Sequence, residues 1–156
     1  YDFTREIELT ETLALGDTVI VRRGGSVVGV ALCHTAPLVE GRRSFFKYRD
    51  LGVTAASSGR MRAQITSGAD GMTKPTGWHY HVCDGQFVYM LNGWVDLEFE
   101  DGQTVHLQAG ESLYIPGGLR HNEIQTSRDL ELLEISVPAD MGTVACDAPE
   151  GWPTRG

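Results

Sequence analysis

The stretch GWHYHVCDGQFVYMLNG, residues 77–93, decides how the rest of the chain is read, because His79 and His81 stand two residues apart in it. Successive side chains of a β-strand point to opposite faces, so residues i and i+2 share a face with Cα atoms about 6.5 to 7 Å apart. At that spacing two imidazoles converge on one ion. Metal–nitrogen bonds of about 2.0 to 2.2 Å then require further ligands from elsewhere, because one strand cannot surround a metal.

Working outward, Phe87 to Leu91, Trp94 to Glu100 and Thr104 to Gln108 read as strands separated by Asn92-Gly93 and Asp101-Gly102. Both dipeptides favour the positive φ angles of hairpin turns, so a three-strand meander is expected. In its middle strand Val95, Leu97 and Phe99 alternate with Asp96, Glu98 and Glu100, which gives one apolar face and one solvated face. Ser112 to Ile115 is a further strand, and Pro116-Gly117-Gly118 turns the chain into another that carries His121. Asp129 to Val137 closes the sheet before a Pro- and Gly-rich tail from Pro138 to Gly156.

On the N-terminal side, Gly68 to Gly77 is a loop that delivers the chain to His79, as loops on a rigid sheet commonly do for a site. Before it, Gly59 to Ser67 alternates as a strand, with Met61, Ala63 and Ile65 on one face and Arg60, Arg62 and Gln64 on the other. Arg42, Arg43, Lys47 and Arg49 surround Phe45, Phe46 and Tyr48. This reads as a solvated edge strand with its aromatics turned inward, the competing reading being anion recognition. Thr18 to Arg22 and Val27 to Cys33 form two strands joined across Arg23-Gly24-Gly25-Ser26, and Thr4 to Leu13 is either a capped helical turn or an extended arm.

Composition bounds the class of function. A chain of 156 residues is expected to form one domain with one core, and 19 glycines among short β-branched runs argue for an all-β fold. The formal charge of −8, from 21 acidic and 13 basic residues, repels phosphate backbones and anionic lipid, so no nucleic acid and no membrane surface is expected as a partner. There is no apolar run of spanning length, and the first residues, Tyr1 to Leu15, are too charged for a secretory signal. The chain opens on Tyr rather than Met, consistent with trimming. Cys33, Cys83 and Cys146 are odd in number and lack Cys-x-x-Cys spacing, which points to a reducing, cytoplasmic setting.

Two stretches resemble the two sequence motifs of the cupin superfamily, a small jelly-roll barrel. In the first, His79, His81 and Gly93 fall on the family pattern and Gln86 stands where a Glu is expected, while Gly77 lies nearer to His79 than the family's leading Gly does. In the second, Gly110, Pro116, Gly118 and His121 match, with Gln125 in place of Asn. The resemblance implies a double-stranded β-helix (jelly-roll) barrel over residues 60–137 of a single domain 1–156, an N-terminal strand extension over 1–40 and a tail over 138–156. It further implies one divalent metal ion held by His79, His81 and His121, with Gln86 at the fourth position. The competing reading keeps the three histidines as a packed polar cluster without metal.

Three neutral imidazoles and an amide oxygen leave the full 2+ charge on such an ion, where a Glu would cancel one unit. The centre then attracts a small anionic substrate and lowers the pKa of bound water. Fe(II) is the favoured ion, and Mn, Ni, Zn and Cu also suit these donors. Parity from Gln86 places Val88 and Met90 on the inner face, and Leu97 and Phe99 join them as candidate substrate-pocket residues, the competing reading being ordinary core. Glu123, two residues beyond His121, is a candidate acid/base or a hydrogen-bond acceptor for a ligand imidazole, the competing reading being a rim carboxylate. His34 and His106 read as ordinary residues, Cys83 as a buried or half-buried thiol, and Trp78 and Tyr80 as pointing away from the metal. The leading expectation is a mononuclear non-haem Fe(II) dioxygenase. A Lewis-acid lyase or isomerase, and a non-catalytic small-ligand-binding module, are the alternatives. The apolar strands before Leu38 must pair somewhere, which predicts a homodimer.

Overall fold

The computed structural model describes residues 8–13, 18–23, 26–32, 36–41, 43–68 and 71–152. Cys33, His34, Arg42 and the turn residues Gly24 and Gly25 lie outside them. In chain order the elements are β1 (Glu8–Leu13), β2 (Thr18–Arg23), β3 (Ser26–Leu32), β4 (Val39–Glu40), β5 (Lys47–Asp50), α1 (Val53–Ala56), β6 (Arg62–Ser67), β7 (His79–Val82), β8 (Gly85–Asn92), β9 (Trp94–Phe99), β10 (Thr104–Gln108), β11 (Ser112–Pro116), β12 (His121–Thr126), β13 (Glu131–Val137) and β14 (Gly142–Ala145). The fold is mostly β, as the composition implies, and the two motif-bearing sheets form a cupin-type double-stranded β-helix.

One sheet has six strands in the order β11-β8-β13-β6-β5-β4, and the other has five in the order β10-β9-β12-β7-β14. Between them Phe46, Val88, Met90, Val95, Leu97, Phe99, Leu107, Ile115 and Leu130 form the buried core. The alternation of β9 explains this: Val95, Leu97 and Phe99 are all buried. Its other face is not uniformly solvated. Glu98 is 2% exposed and accepts a hydrogen bond from Asn122 Nδ2 at 3.3 Å on the neighbouring strand.

The expected meander is not formed. β9 and β10 make a hairpin, but β8 lies in the other sheet, paired with β11 and β13. Asn92-Gly93 therefore carries the chain from one sheet to the other. Gly93 has φ +72°, and a Cβ there would fall 2.1 Å from Ser127 Oγ, so the crossing is tight enough to need glycine. Near the C-terminus, residues read as tail form β14, which pairs with β7, and Trp152 lies with its ring centroid 5.3 Å from that of Trp78.

β5 is not an edge, since β4 pairs outside it, and Phe46 is buried as its aromatic character requires. Near the N-terminus, β1 is extended rather than helical, and β2 and β3 pair antiparallel from Arg23↔Ser26. These three strands form a sheet of their own, in the order β1-β2-β3, rather than extending either barrel sheet.

Candidate metal centre and its cavity

β7 and β12 meet in a single register pair, His79↔His121, so the two motifs face each other across one ladder step. His81 follows on the same face of β7, as the strand period demands. All three imidazoles are buried, and one nitrogen of each lies within 4.8 Å of the others. Ring centroids are 5.1 Å apart for His79 and His81, 4.4 Å for His79 and His121, and 5.0 Å for His81 and His121.

The outer nitrogens of the three rings are already engaged. His79 Nδ1 lies 2.8 Å from the Gly77 carbonyl and His121 Nδ1 2.9 Å from the Leu119 carbonyl. A carbonyl oxygen can only accept, so each Nδ1 carries the proton and each Nε2 keeps a free lone pair. His81 Nδ1 lies 3.0 Å from the Thr143 hydroxyl of β14. Burial, reinforced by His121 and His79, pushes the pKa of His81 from 6.5 down to about 4, and burial also lowers that of His121. Both rings are thereby kept in the neutral form that binds metal.

The turn ahead of His121 is built to dock on β7. A Cβ at Gly117 would fall 1.6 Å from the Cys83 carbonyl oxygen, and Gly118 N–H donates to the His81 carbonyl at 2.9 Å. Arg120 Nε donates to Glu100 Oε2 at 2.6 Å, which ties the same turn to the end of β9.

Gln86 is 7% exposed on β8, and its Oε1, like His121 Nε2, is buried without a hydrogen-bond partner. Two acceptors shielded from water and lacking donors are costly as they stand. The three imidazoles could hold a divalent first-row ion, and their donor type does not select among such ions.

Gln86, His79 and His81 open into a cavity of about 360 Å³. Val88 and Leu97 line it, whereas Met90 is fully buried in the core and Phe99 packs beside the triad with its ring 6.1 Å from that of His121. Glu123 also lines the cavity. Its Oε2 lies 3.8 Å from His79 Nε2 and accepts a hydrogen bond from the Thr76 hydroxyl. Burial alone would raise the pKa of this carboxyl, but His79 and His121, together with Thr76, hold it below the usual range. Beyond Glu123, at Ile124, β12 takes up a bulge against β9, so its alternation resets after the last inward group.

The same cavity holds residues that reading along the sequence did not assign to it: Arg43, Tyr48, Arg62, Gln64, Thr76 and Glu134. Strand pairing was the missing signal. Ser136 pairs with both Arg62 and Gln86, and Glu134 with both Gln64 and Val88, so these rows share the inner face. Arg43 Nη1 donates to the Thr76 carbonyl at 2.5 Å, tying the loop before β5 to the residue that holds Glu123.

Elsewhere, His106 is exposed and its Nδ1 lies 2.6 Å from Asp96 Oδ1, away from the triad. Cys83 and Cys146 are free thiols, Cys83 half-buried with its pKa raised by burial. No helix among the described residues is long and apolar enough to cross a membrane.

Residues 70–136 match the family model described as the cupin domain. No curated protein matches the chain in sequence. Among solved structures it is similar to the polyketide cyclase RemF from Streptomyces resistomycificus, at 21% identity and a TM-score of 0.59, over 74% of this chain and 83% of that one. It is also similar to KdgF from Halomonas sp., at 16% identity and a TM-score of 0.55, over 69% of this chain and 91% of that one. A salicylate 1,2-dioxygenase from Pseudaminobacter salicylatoxidans aligns at 13% identity and a TM-score of 0.54, over 68% of this chain and 32% of that one. At these identities the likeness is one of fold.

Proposed function

We propose that this cupin barrel is a metal-dependent enzyme that binds a small anionic substrate at His79, His81 and His121 and moves a proton with Glu123, in the manner of a lyase or isomerase. The observation that carries the reading is the Glu123 carboxylate, 3.8 Å from His79 Nε2 and fixed by Thr76 inside the cavity. A base must stand within hydrogen-bond reach of the proton it takes, and a carboxylate on the ligand face beside the triad meets that requirement for a substrate seated there.

In this account His79, His81 and His121 hold the ion through Nε2, and Gln86 offers its amide oxygen as the fourth donor. A divalent ion bound there supplies Lewis-acid stabilisation of charge developing on a substrate oxygen. Thr76 keeps the Glu123 carboxylate aimed into the cavity, and the apolar walls of Val88, Val95 and Leu97 restrict water around the proton in transit.

A second reading, an Fe(II) dioxygenase, is supported by the donor set: three imidazoles and an amide leave the ion its full charge and open positions for an anionic substrate. The two are separated by purifying the protein without added metal, determining its metal content, and assaying small hydroxy and keto acids with and without dioxygen. Turnover under nitrogen supports proton transfer. Stoichiometric oxygen uptake supports the dioxygenase, and tight binding with neither makes the protein a small-ligand-binding module.

For assembly we propose a homodimer. The outer face of the six-stranded sheet exposes Phe87, Tyr89, Leu91 and Tyr114, a row of large apolar groups that a second copy would cover. Light scattering at micromolar concentration checks this, a particle of monomer mass removing the dimer.

A further inference from the structure

Glu134, on the inner face of β13, is one of the two carboxylates lining the cavity that the proposed chemistry leaves unused, Glu40 at the rim being the other. Three successive inward residues of β6 serve it. Arg62 Nη2 lies 3.1 Å from Glu134 Oε1, the Thr66 hydroxyl 3.5 Å from Oε2, and the Gln64 side chain hydrogen-bonds to it as well. Arg62 itself lines the cavity with 27% of its side chain exposed, and its Nε is buried without a hydrogen-bond partner. A guanidinium anchored to a carboxylate through one nitrogen and lining a cavity is positioned to bind a ligand oxygen.

We infer that Arg62 is a specificity-determining residue, and that the substrate carries an anionic chelating group at one end and a neutral oxygen acceptor, a carbonyl or hydroxyl, at the other. This rests on the reading of the triad as the metal site. The neutral character of the far end follows from charge balance, because Glu134 offsets Arg62, and a second anion there would meet the Glu134 carboxylate. The span follows from the sheet. Arg62 and Gln86 pair with the same residue, Ser136, from opposite sides, so their backbones lie two strand spacings apart, about 10 Å. The cavity also has an apolar wall, with Val88, Leu113, Ile115 and Leu132, which suits a ring-sized carbon body rather than a short polar acid.

Calorimetry on the protein loaded with redox-silent Zn(II) tests this with three probes: salicylate, salicylate bearing an acetyl group para to its carboxylate, and salicylate bearing a second carboxylate at that position. The acetyl compound is expected to bind about tenfold more tightly than salicylate, the effect of one charge-assisted hydrogen bond, and the dicarboxylate no more tightly than salicylate. Arg62→Met should abolish the acetyl gain and leave salicylate within about twofold. Because Arg62→Met strands a half-buried carboxylate, Glu134→Gln provides the second arm: it frees the arginine charge, and the dicarboxylate should then become the tightest binder. The inference is overturned if the acetyl compound shows no gain in the parent, if that gain survives Arg62→Met, or if Glu134→Gln leaves the order unchanged. Salicylate binding with and without Zn(II) reports separately on the triad.

Discussion

The five-stranded sheet presents His79, His81 and Glu123 to the cavity, with His121 buried beside them, whereas the six-stranded sheet presents Arg62, Gln64, Thr66, Gln86 and Glu134. In the first group the carbonyls behind His79 and His121 leave each Nε2 lone pair free, His81 Nδ1 is engaged by the Thr143 hydroxyl, and Glu123 adds a carboxylate. The second is largely self-satisfied, three donors of β6 converging on one carboxylate of β13. One wall is therefore suited to hold an ion and run chemistry, and the other to choose what reaches it. Gln86 belongs to the second wall by strand and to the first by its unpaired oxygen, and is the residue at which the two meet.

Substitutions that break the first wall should have the largest effects. His121→Ala is expected to abolish turnover and weaken metal binding by at least about 100-fold, more than loss of an outer-shell partner does, as measured by competition with a chelator. Retention of metal at parent affinity would remove the triad as the site.

Glu123→Gln is expected to keep metal and lower kcat by about 100- to 10,000-fold, the usual range for a general base. Parent-like turnover would assign the carboxylate to positioning alone, and a parallel loss of metal would make it a ligand.

The metal-stripped protein should lose stability in acid through His81. Its folded pKa of about 4 lies below the unfolded value of 6.5, so the unfolded chain binds more protons between them. The contribution is complete above the unfolded value and is lost as pH falls from 6.5 towards 4, on the order of 3 kcal/mol in all. Denaturant titrations across that window should show the slope, and His81→Gln should flatten it.

The smallest effects are expected where the walls meet. Gln86→Glu adds a negative charge against the ion, so metal affinity should rise while affinity for an anionic substrate falls, by roughly tenfold. Gln86→Ala should weaken metal binding by about 10- to 100-fold, read by the same competition assay. If both variants match the parent, Gln86 fills space and the centre has three ligands.

Much of the first wall is legible in the order of the residues. His79 and His81 share a face because a strand repeats every two residues, and Pro116-Gly117-Gly118 is a turn whose backbone passes within contact of Cys83. The second wall is not legible in this way. Alternation places Arg62 and Gln64 together, but strand parity does not say which face is buried.

For this protein the amino-acid sequence by itself was sufficient for the β-rich class and for the shared strand face of His79 and His81, which depend on local pattern, while the resemblance to a known family supplied the pairing of the two histidine motifs and the expectation for Gln86. Tertiary structure alone decided that Asn92-Gly93 crosses between sheets, that β14 supplies Thr143 to His81, that Glu98 is buried, and that Arg62 and Glu134 face the triad across a common cavity. The reason is physical. Each of those facts depends on which strands pair and in what register, and pairing between segments 64 to 74 residues apart, as in β6 with β13, is settled by the packing of the whole core rather than by local sequence.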